Sequence, residues 1–155
     1  MASSTPNIVL LQVNGSERPI FEAPAASAIT PGDLISKNSS GNLASFTGAN
    51  TLNSRMFALE NPFAPDPTQT ALAQTWPTGD SVRFIYCAPG DVVNARLAAS
   101  QTIAIGDVLG PSATAGCLAK ITTVDATVVE HAPVGIAEEA VTTTGSTGRI
   151  KVRIL

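Results

Sequence analysis

Charged residues are scarce in this chain, and their scarcity excludes one class of function at the outset. Only 14% of the 155 residues are charged, with 9 basic and 12 acidic residues and a formal net charge of −3. In soluble domains about a quarter of the residues are ordinarily charged. Without a basic field to hold a phosphate backbone, we expect no nucleic-acid partner. Either a covering partner subunit or a Thr/Ser-rich β surface explains so few charges.

Cysteine and histidine are also nearly missing, and these residues supply most metal sites and nucleophiles. Cys87 and Cys117 lack metal-ligand spacing, so we expect two reduced, buried thiols rather than a disulfide. His131 is the only histidine, and no nucleophile stands near it in the sequence. The run GSTG at 145–148 lacks the lysine of a phosphate-binding loop. The sequence therefore predicts no enzyme, no cofactor and no metal site.

Long hydrophobic runs are the third absence. The 11 prolines and 12 glycines interrupt every apolar stretch, so we expect no membrane span. The first residues, MASSTP, lack the basic region of a secretory signal. A chain of this length can bury a core without a metal or disulfide staple, and one domain is the simplest expectation.

What the chain does contain is a repeat. A segment with a Gly-Asp pair is followed about ten residues later by Gly-X-Leu-Ala, and then by two further matching segments in the same order. The offset between matches stays between about 70 and 80 residues, which indicates two similar units. The matched segments are 29–35 with 103–109, 41–44 with 116–119, 57–60 with 136–139, and 82–85 with 152–155.

The local patterns are those of an all-β protein. Turn signals recur about every 8–12 residues, no convincing helix interrupts them, and 149–155 alternates charged and β-branched residues through to the last residue. We predict a compact β-barrel or sandwich formed by a single β domain, 28–155. Its two pseudo-repeated β units span about 28–87 and 102–155. Residues 1–27 are predicted to form an extended N-terminal arm.

Four Gly-Asp pairs, at 32–33, 79–80, 90–91 and 106–107, invite a calcium reading. Calcium needs several oxygens clustered within one loop, and each of these pairs stands alone between apolar residues. We therefore predict that the aspartates form turns.

Several large apolar residues stand where regular structure is not expected. Phe21, Phe63 and Trp76 lie in proline-rich segments, so they either fold back onto the β domain or enter a partner. Ile8 and Leu10 belong to a short β segment within the arm. Such a segment, or the one around Phe21, is suited to adding a strand to a neighbouring protein.

The ordered series of motifs resembles the small cement, or head decoration, proteins of tailed bacteriophages. The resemblance covers most of 28–155 and leaves 1–27 outside it. Its segments are AITPGDLI at 28–35, FALE at 57–60, GDSVR at 79–83, PGDVVNARLA at 89–98, IGDVL at 105–109 and VGIAE at 134–138.

This resemblance implies a mainly β, non-enzymatic protein on the outside of an icosahedral head. It implies self-association as a homotrimer, the major capsid protein as partner, and synthesis in the bacterial host cytoplasm. Another virion β module, such as a spike base, fibre or tail component, remains the alternative. The residues predicted to contact the capsid or a sister subunit are Ile8, Leu10, Phe21, Phe63 and Trp76.

Overall fold

The computed structural model describes residues 6–48, 55–63, 66–122 and 133–155. These residues form β-strands and no helix, which confirms the predicted all-β class. None of them builds a helix of the length and apolarity that a membrane crossing requires. The strands are β1 (Leu10–Gln12), β2 (Phe21–Pro24), β3 (Leu34–Lys37), β4 (Leu43–Ser45), β5 (Met56–Ala58), β6 (Ser81–Tyr86), β7 (Val92–Leu97), β8 (Thr102–Ile103), β9 (Val108–Pro111), β10 (Leu118–Lys120), β11 (Gly135–Ala137), β12 (Val141–Thr142) and β13 (Gly148–Ile154).

The first unit, residues 21–86, is a five-stranded sheet with the order β4-β3-β5-β6-β2. β3 and β4 form a hairpin, and β5 and β6 continue the sheet by antiparallel pairing. β2 pairs with β6 along its whole length. Just beyond β2, Ala25 forms a parallel bridge with Leu43 of β4, so the two edges of the sheet meet.

The second unit, residues 92–154, repeats this plan with the order β10-β9-β11-β13-β7. β9 and β10 form its hairpin, and β13 pairs with β7 over six residue pairs, from Gly148↔Leu97 to Arg153↔Val92. A parallel pairing of Leu118 with Leu97 joins β10 to β7 and closes a five-stranded barrel. β1 adds to the free part of the same β7 edge.

The predicted repeat therefore corresponds to a duplicated hydrogen-bonding order, and pairing across the units refines one match. Ala58 lies opposite Phe84, and Ala137 lies opposite Val152. Since Ala58 and Ala137 are equivalent, Phe84 corresponds to Val152. The segment 82–85 thus corresponds to 150–153 rather than to 152–155. The sequence match was displaced by two residues, because a period of two in a strand makes such a shift look equally good.

All four Gly-Asp pairs form tight turns, as predicted. Each glycine has a positive φ, from 85° to 92°. Each aspartate N–H donates to the carbonyl three residues earlier, those of Thr30, Pro77, Ala88 and Ala104. Positive φ at the third turn position is the geometry in which glycine has no steric penalty.

The core has two parts. The smaller cluster fills the first unit and includes Val82, Phe84 and Leu43. The larger cluster fills the second unit and extends across the junction to Leu34 and Phe57 of the first. Side chains alternate between the faces of a strand, so the first unit has one face around its own core and another against the second unit.

Residues 6–27, which belong to the predicted arm, lie against both units. β1 pairs with β7 of the second unit, and β2 is the edge strand that completes the first. Both segments proposed for strand addition to a neighbour are therefore paired within their own chain. His131 lies outside the described residues.

Candidate interaction surfaces

The junction between the units is built by close backbone approach and a buried ion pair. Gly32 accepts a hydrogen bond at its carbonyl from the N–H of Arg96, and Leu34 donates its N–H to the carbonyl of Gly116. Arg96 Nη1 lies 2.8 Å from Asp33 Oδ1. Asp33 also accepts from the N–H of Thr30 at 2.9 Å, so the turn that forms the first unit also anchors the second.

Burial at this junction leaves no room for side chains on two glycines. A Cβ on Gly32 would lie 2.6 Å from Arg149 Nη1 and 2.8 Å from the Asn94 carbonyl oxygen. A Cβ on Gly116 would lie 2.8 Å from the Cβ of Asp33. The two units are thus in direct contact, which makes the faces turned away from the junction the candidates for partners.

A second ion pair attaches the N-terminal segment to the second unit. The carboxylate of Asp91 is buried and accepts from Arg18 Nε at 2.7 Å and from the N–H of Asn14 at 2.9 Å. It also accepts from the N–H of Ala88 at 2.9 Å. Burial by itself raises the pKa of Asp91, but these hydrogen bonds outweigh it and hold the pKa below its ordinary value.

Four of the five predicted contact residues lie at or near the surface. Phe63 is 77% exposed on a loop, Ile8 is 47% exposed before β1, and Phe21 is 41% exposed on β2. Leu10 is half-buried on β1 and packs against the larger core cluster. They are spread over both units rather than gathered in one patch, and their role as contacts stays a prediction.

The structure corrects the placement of Trp76. Its side chain is 2% exposed and belongs to the core of the first unit. Its Nε1–H donates to the carbonyl of Leu59 at 2.9 Å, and its backbone bridges to Ile29. The proline-rich segment before it folds back, so the indole offers no surface to a partner.

An aromatic cluster on the first unit is an apolar feature that the sequence analysis did not identify. The rings of Phe21, Phe84 and Tyr86 lie 5.4–5.7 Å apart, and Lys37 Nζ stands 5.2 Å above the Phe84 ring centre. Tyr86 is 40% exposed beside Phe21, and Ile20 is 50% exposed next to them in sequence. Phe21 joins Phe84 and Tyr86 because β2 pairs with β6, which places Phe21 directly opposite Phe84.

On the second unit, the turn before β9 exposes Ile105, which is 72% exposed, and Val108, which is 39% exposed. The sequence does not distinguish this turn from the equivalent turn of the first unit, at Pro31, which is buried at the junction. The exposure of Ile105 and Val108 therefore could not be predicted. We call Ile105 and Val108 the Ile105 turn, and we call the aromatic cluster the Phe21 patch.

Reactive side chains do not converge within the described part of the chain. No group of three or more His, Cys, Asp or Glu side chains there is placed to hold a metal ion. Cys87 and Cys117 are free thiols, as predicted. Burial raises the pKa of Cys87 to about 12 and also raises that of Cys117. Both thiols therefore stay protonated at neutral pH and are poor nucleophiles.

Comparison with known proteins finds a likeness in fold. No protein-family model matches the chain, and no curated protein matches it. Among solved structures it is similar to the crystal structure of the N base of head fibre gp8.5 of bacteriophage phi29. The TM-score is 0.53 at 17% sequence identity, with 90% of this chain and 95% of that chain covered. At that identity the likeness shows the fold.

Proposed function

We propose that this chain is a structural protein of a phage virion that binds the outer surface of an icosahedral head. In this role it stabilises the assembled capsid by bridging major capsid subunits, as a non-enzymatic homotrimer. The observation that carries the proposal is the likeness in fold, over 90% of the chain, to a protein named as the base of a phage head fibre. The ordered motifs that resemble head decoration proteins support it independently.

The physical properties of the chain suit such a role. A protein that binds only the assembled lattice stabilises it by mass action. Many copies that each touch several subunits gain from multivalency without strong single contacts. The two joined units offer the Phe21 patch and the Ile105 turn as separate apolar surfaces, which fits simultaneous contact with more than one neighbour.

A second function has an observation in its favour. The similar structure is itself a fibre base, so this chain is a candidate for the base of a head fibre. The two functions differ in copy number: a cement protein covers the lattice in hundreds of copies, whereas a fibre base occupies a few defined positions.

Electron microscopy of heads tests the proposal directly. Heads that lack the protein are mixed with the purified chain, and bound copies are counted in the map. Density at repeated lattice positions, with a higher melting temperature of the heads, supports a cement protein. Density at a few sites supports a fibre base. Absence of bound copies at saturating concentration contradicts both.

Two double variants locate the contact surface. Phe21→Ser with Tyr86→Ser removes the Phe21 patch, and Ile105→Ser with Val108→Ser removes the Ile105 turn. Each pair changes one of the two surfaces and leaves the other intact, so their separate contributions can be compared. We expect at least one pair of substitutions to reduce strongly the number of copies bound to the heads. The predicted homotrimer is tested separately, by measuring the mass of the purified protein in solution.

A further inference from the structure

An open cleft of about 760 Å³ lies where the two units meet. The first unit lines it with Thr30 and Thr70, and the second unit lines it with Arg96, Thr147 and Arg149. Two guanidinium groups and three hydroxyl groups therefore surround one cleft in a chain that has few charges.

The charge of Arg96 is balanced within the structure. Its Nη1 lies 2.8 Å from Asp33 Oδ1, and its Nη2 donates to Thr147 Oγ1 at 3.1 Å. Arg96 is thereby held in place at the cleft wall, and the carboxylate of Asp33 offsets its charge.

Arg149 donates its hydrogen bonds to neutral groups. Its Nη2 donates to the carbonyls of Pro31 at 2.9 Å and Leu72 at 2.7 Å, which are neutral acceptors. Its Nη1 is buried and finds no acceptor among the described residues. Burial first, and repulsion by Arg96 second, lower the pKa of Arg149, and attraction by Asp33 only partly opposes them. A guanidinium nevertheless stays protonated at any physiological pH, so Arg96 and the partly buried Arg149 together carry one positive charge more than the carboxylate of Asp33 offsets.

We propose that this cleft binds an oxyanion, a carboxylate or phosphate group, held by the guanidinium of Arg149 and by the hydroxyls of Thr30 and Thr70. An oxyanion supplies the opposite charge that the cleft lacks, and charge-assisted bonds to guanidinium are among the stronger hydrogen bonds. The cleft wall carries a net positive charge, which attracts an anion most strongly where water is partly excluded.

The local backbone is arranged to admit the guanidinium. The absence of a side chain at Gly32 leaves the space that Arg149 Nη1 occupies, since a Cβ there would lie only 2.6 Å away. The equivalent position of β6 in the first unit, Ser81, carries no cation. The site thus belongs to the junction and not to the repeated plan, and it stands whether or not the protein decorates a head.

The test is a titration of the isotopically labelled full chain, followed by nuclear magnetic resonance. Sodium phosphate is added in one arm and sodium acetate in the other, with sodium chloride keeping the ionic strength constant. We expect saturable shifts of the amides of Thr30, Thr70 and Gly148. Stronger binding of acetate shows a preference for carboxylate groups, and stronger binding of phosphate shows a preference for phosphate groups.

Matched variants separate a site from general attraction. Arg149→Gln should weaken binding about tenfold or more, because bonds to a charged group are lost. Lys151→Gln removes a cation from the same strand, but one that pairs with Glu139 at 3.5 Å, outside the cleft lining, and should leave binding unchanged. If Arg149→Gln does not fold, Thr70→Val on its exposed loop should weaken binding several-fold.

Two results overturn the proposal. One is the absence of saturable shifts in the unmodified protein with either anion. The other is equal binding by the unmodified protein and by the folded cleft variant, Arg149→Gln or, failing that, Thr70→Val.

Discussion

The two units share a hydrogen-bonding plan, but equivalent residues meet different surroundings. Gly32 and Gly106 occupy the same turn with φ of 85° and 90°, yet a Cβ on Gly32 would strike the second unit and one on Gly106 would meet nothing within 4 Å. Asp33 and Asp107 both accept from the N–H three residues earlier. Asp33 then binds Arg96 across the junction, whereas Asp107 binds Lys120 of its own unit.

The same contrast holds on the next strand. Leu59 donates its N–H to the carbonyl of Arg83 on β6, and Glu138 donates its N–H to the carbonyl of Lys151 on β13. Leu59 is buried in the cluster that spans the junction, while Glu138 is exposed and pairs with Arg153. The duplicated plan thus fixes the backbone, and the position of each unit in the pair decides which side chains face protein and which face outward.

The largest expected effect is a test of whether the units are one cooperative body. Val82 and Ile150 are equivalent, and both are fully buried. An aspartate at either place buries an unpaired charge, which costs several kcal/mol. Val82 lies in the smaller core cluster and Ile150 in the larger one, which joins the two units. Because neither unit has a complete core without that junction, we expect Val82→Asp and Ile150→Asp each to abolish folding of both units.

Circular dichroism and solubility of the two variants measure this. Val82→Thr and Ile150→Thr are the controls, since they change the same positions without a charge. A Val82→Asp chain that keeps a folded second unit, with its own melting transition, would show that the units fold independently.

The next effect compares the buried and exposed faces directly. Leu59→Ala removes a side chain from the junction, and we expect a loss of about 2–5 kcal/mol in the free energy of unfolding. Glu138→Ala removes a surface ion pair and should leave stability nearly unchanged. Urea unfolding of both variants measures the difference. An equal loss of unfolding free energy in both variants would contradict the inference that Leu59 packs against the second unit while Glu138 faces solvent.

Much of the plan could be predicted because it is local. The Gly-Asp turns depend on positive φ at glycine and on a side chain that bonds its own backbone, and both are encoded within four residues. The duplicated order of segments likewise marked two β units. The match of 82–85 to 152–155 failed because strand periodicity repeats every two residues, and only pairing with β5 and β11 fixes the register.

Contacts between distant segments could not be predicted from the sequence. Trp76 stands among prolines, and nothing local indicates that its indole reaches the carbonyl of Leu59. Phe21 joins Tyr86 only because β2 pairs with β6. The alternating pattern of β13 predicts a surface position for Arg149, and its partial burial depends on how the second unit sits against Pro31 and Leu72.

A smaller effect is expected at the two turn glycines. Alanine at Gly106 must adopt a positive φ, which costs about 1–2 kcal/mol. Alanine at Gly32 bears this cost and also displaces the Asn94 carbonyl and Arg149, which adds about 1–3 kcal/mol. Thermal unfolding should therefore place Gly32→Ala below Gly106→Ala. If the two variants melt together, the units are not pressed against each other at this turn.

The smallest effect concerns Asp107, whose partner is a lysine of its own unit. The hydrogen bond from Lys120, followed by that from the Ala104 N–H, lowers the pKa of Asp107 below its ordinary value. A carboxyl whose pKa is lower in the folded state stabilises the fold above its unfolded pKa of about 3.9, and the contribution is lost as the pH falls through the folded pKa. Asp107→Asn keeps the shape and removes the charge. We expect its melting temperature to lie slightly below that of the unmodified protein at pH 7 and to equal it near pH 2. A gap of the same size at both pH values would mean that Asp107 acts through turn geometry alone, with no contribution from the ion pair.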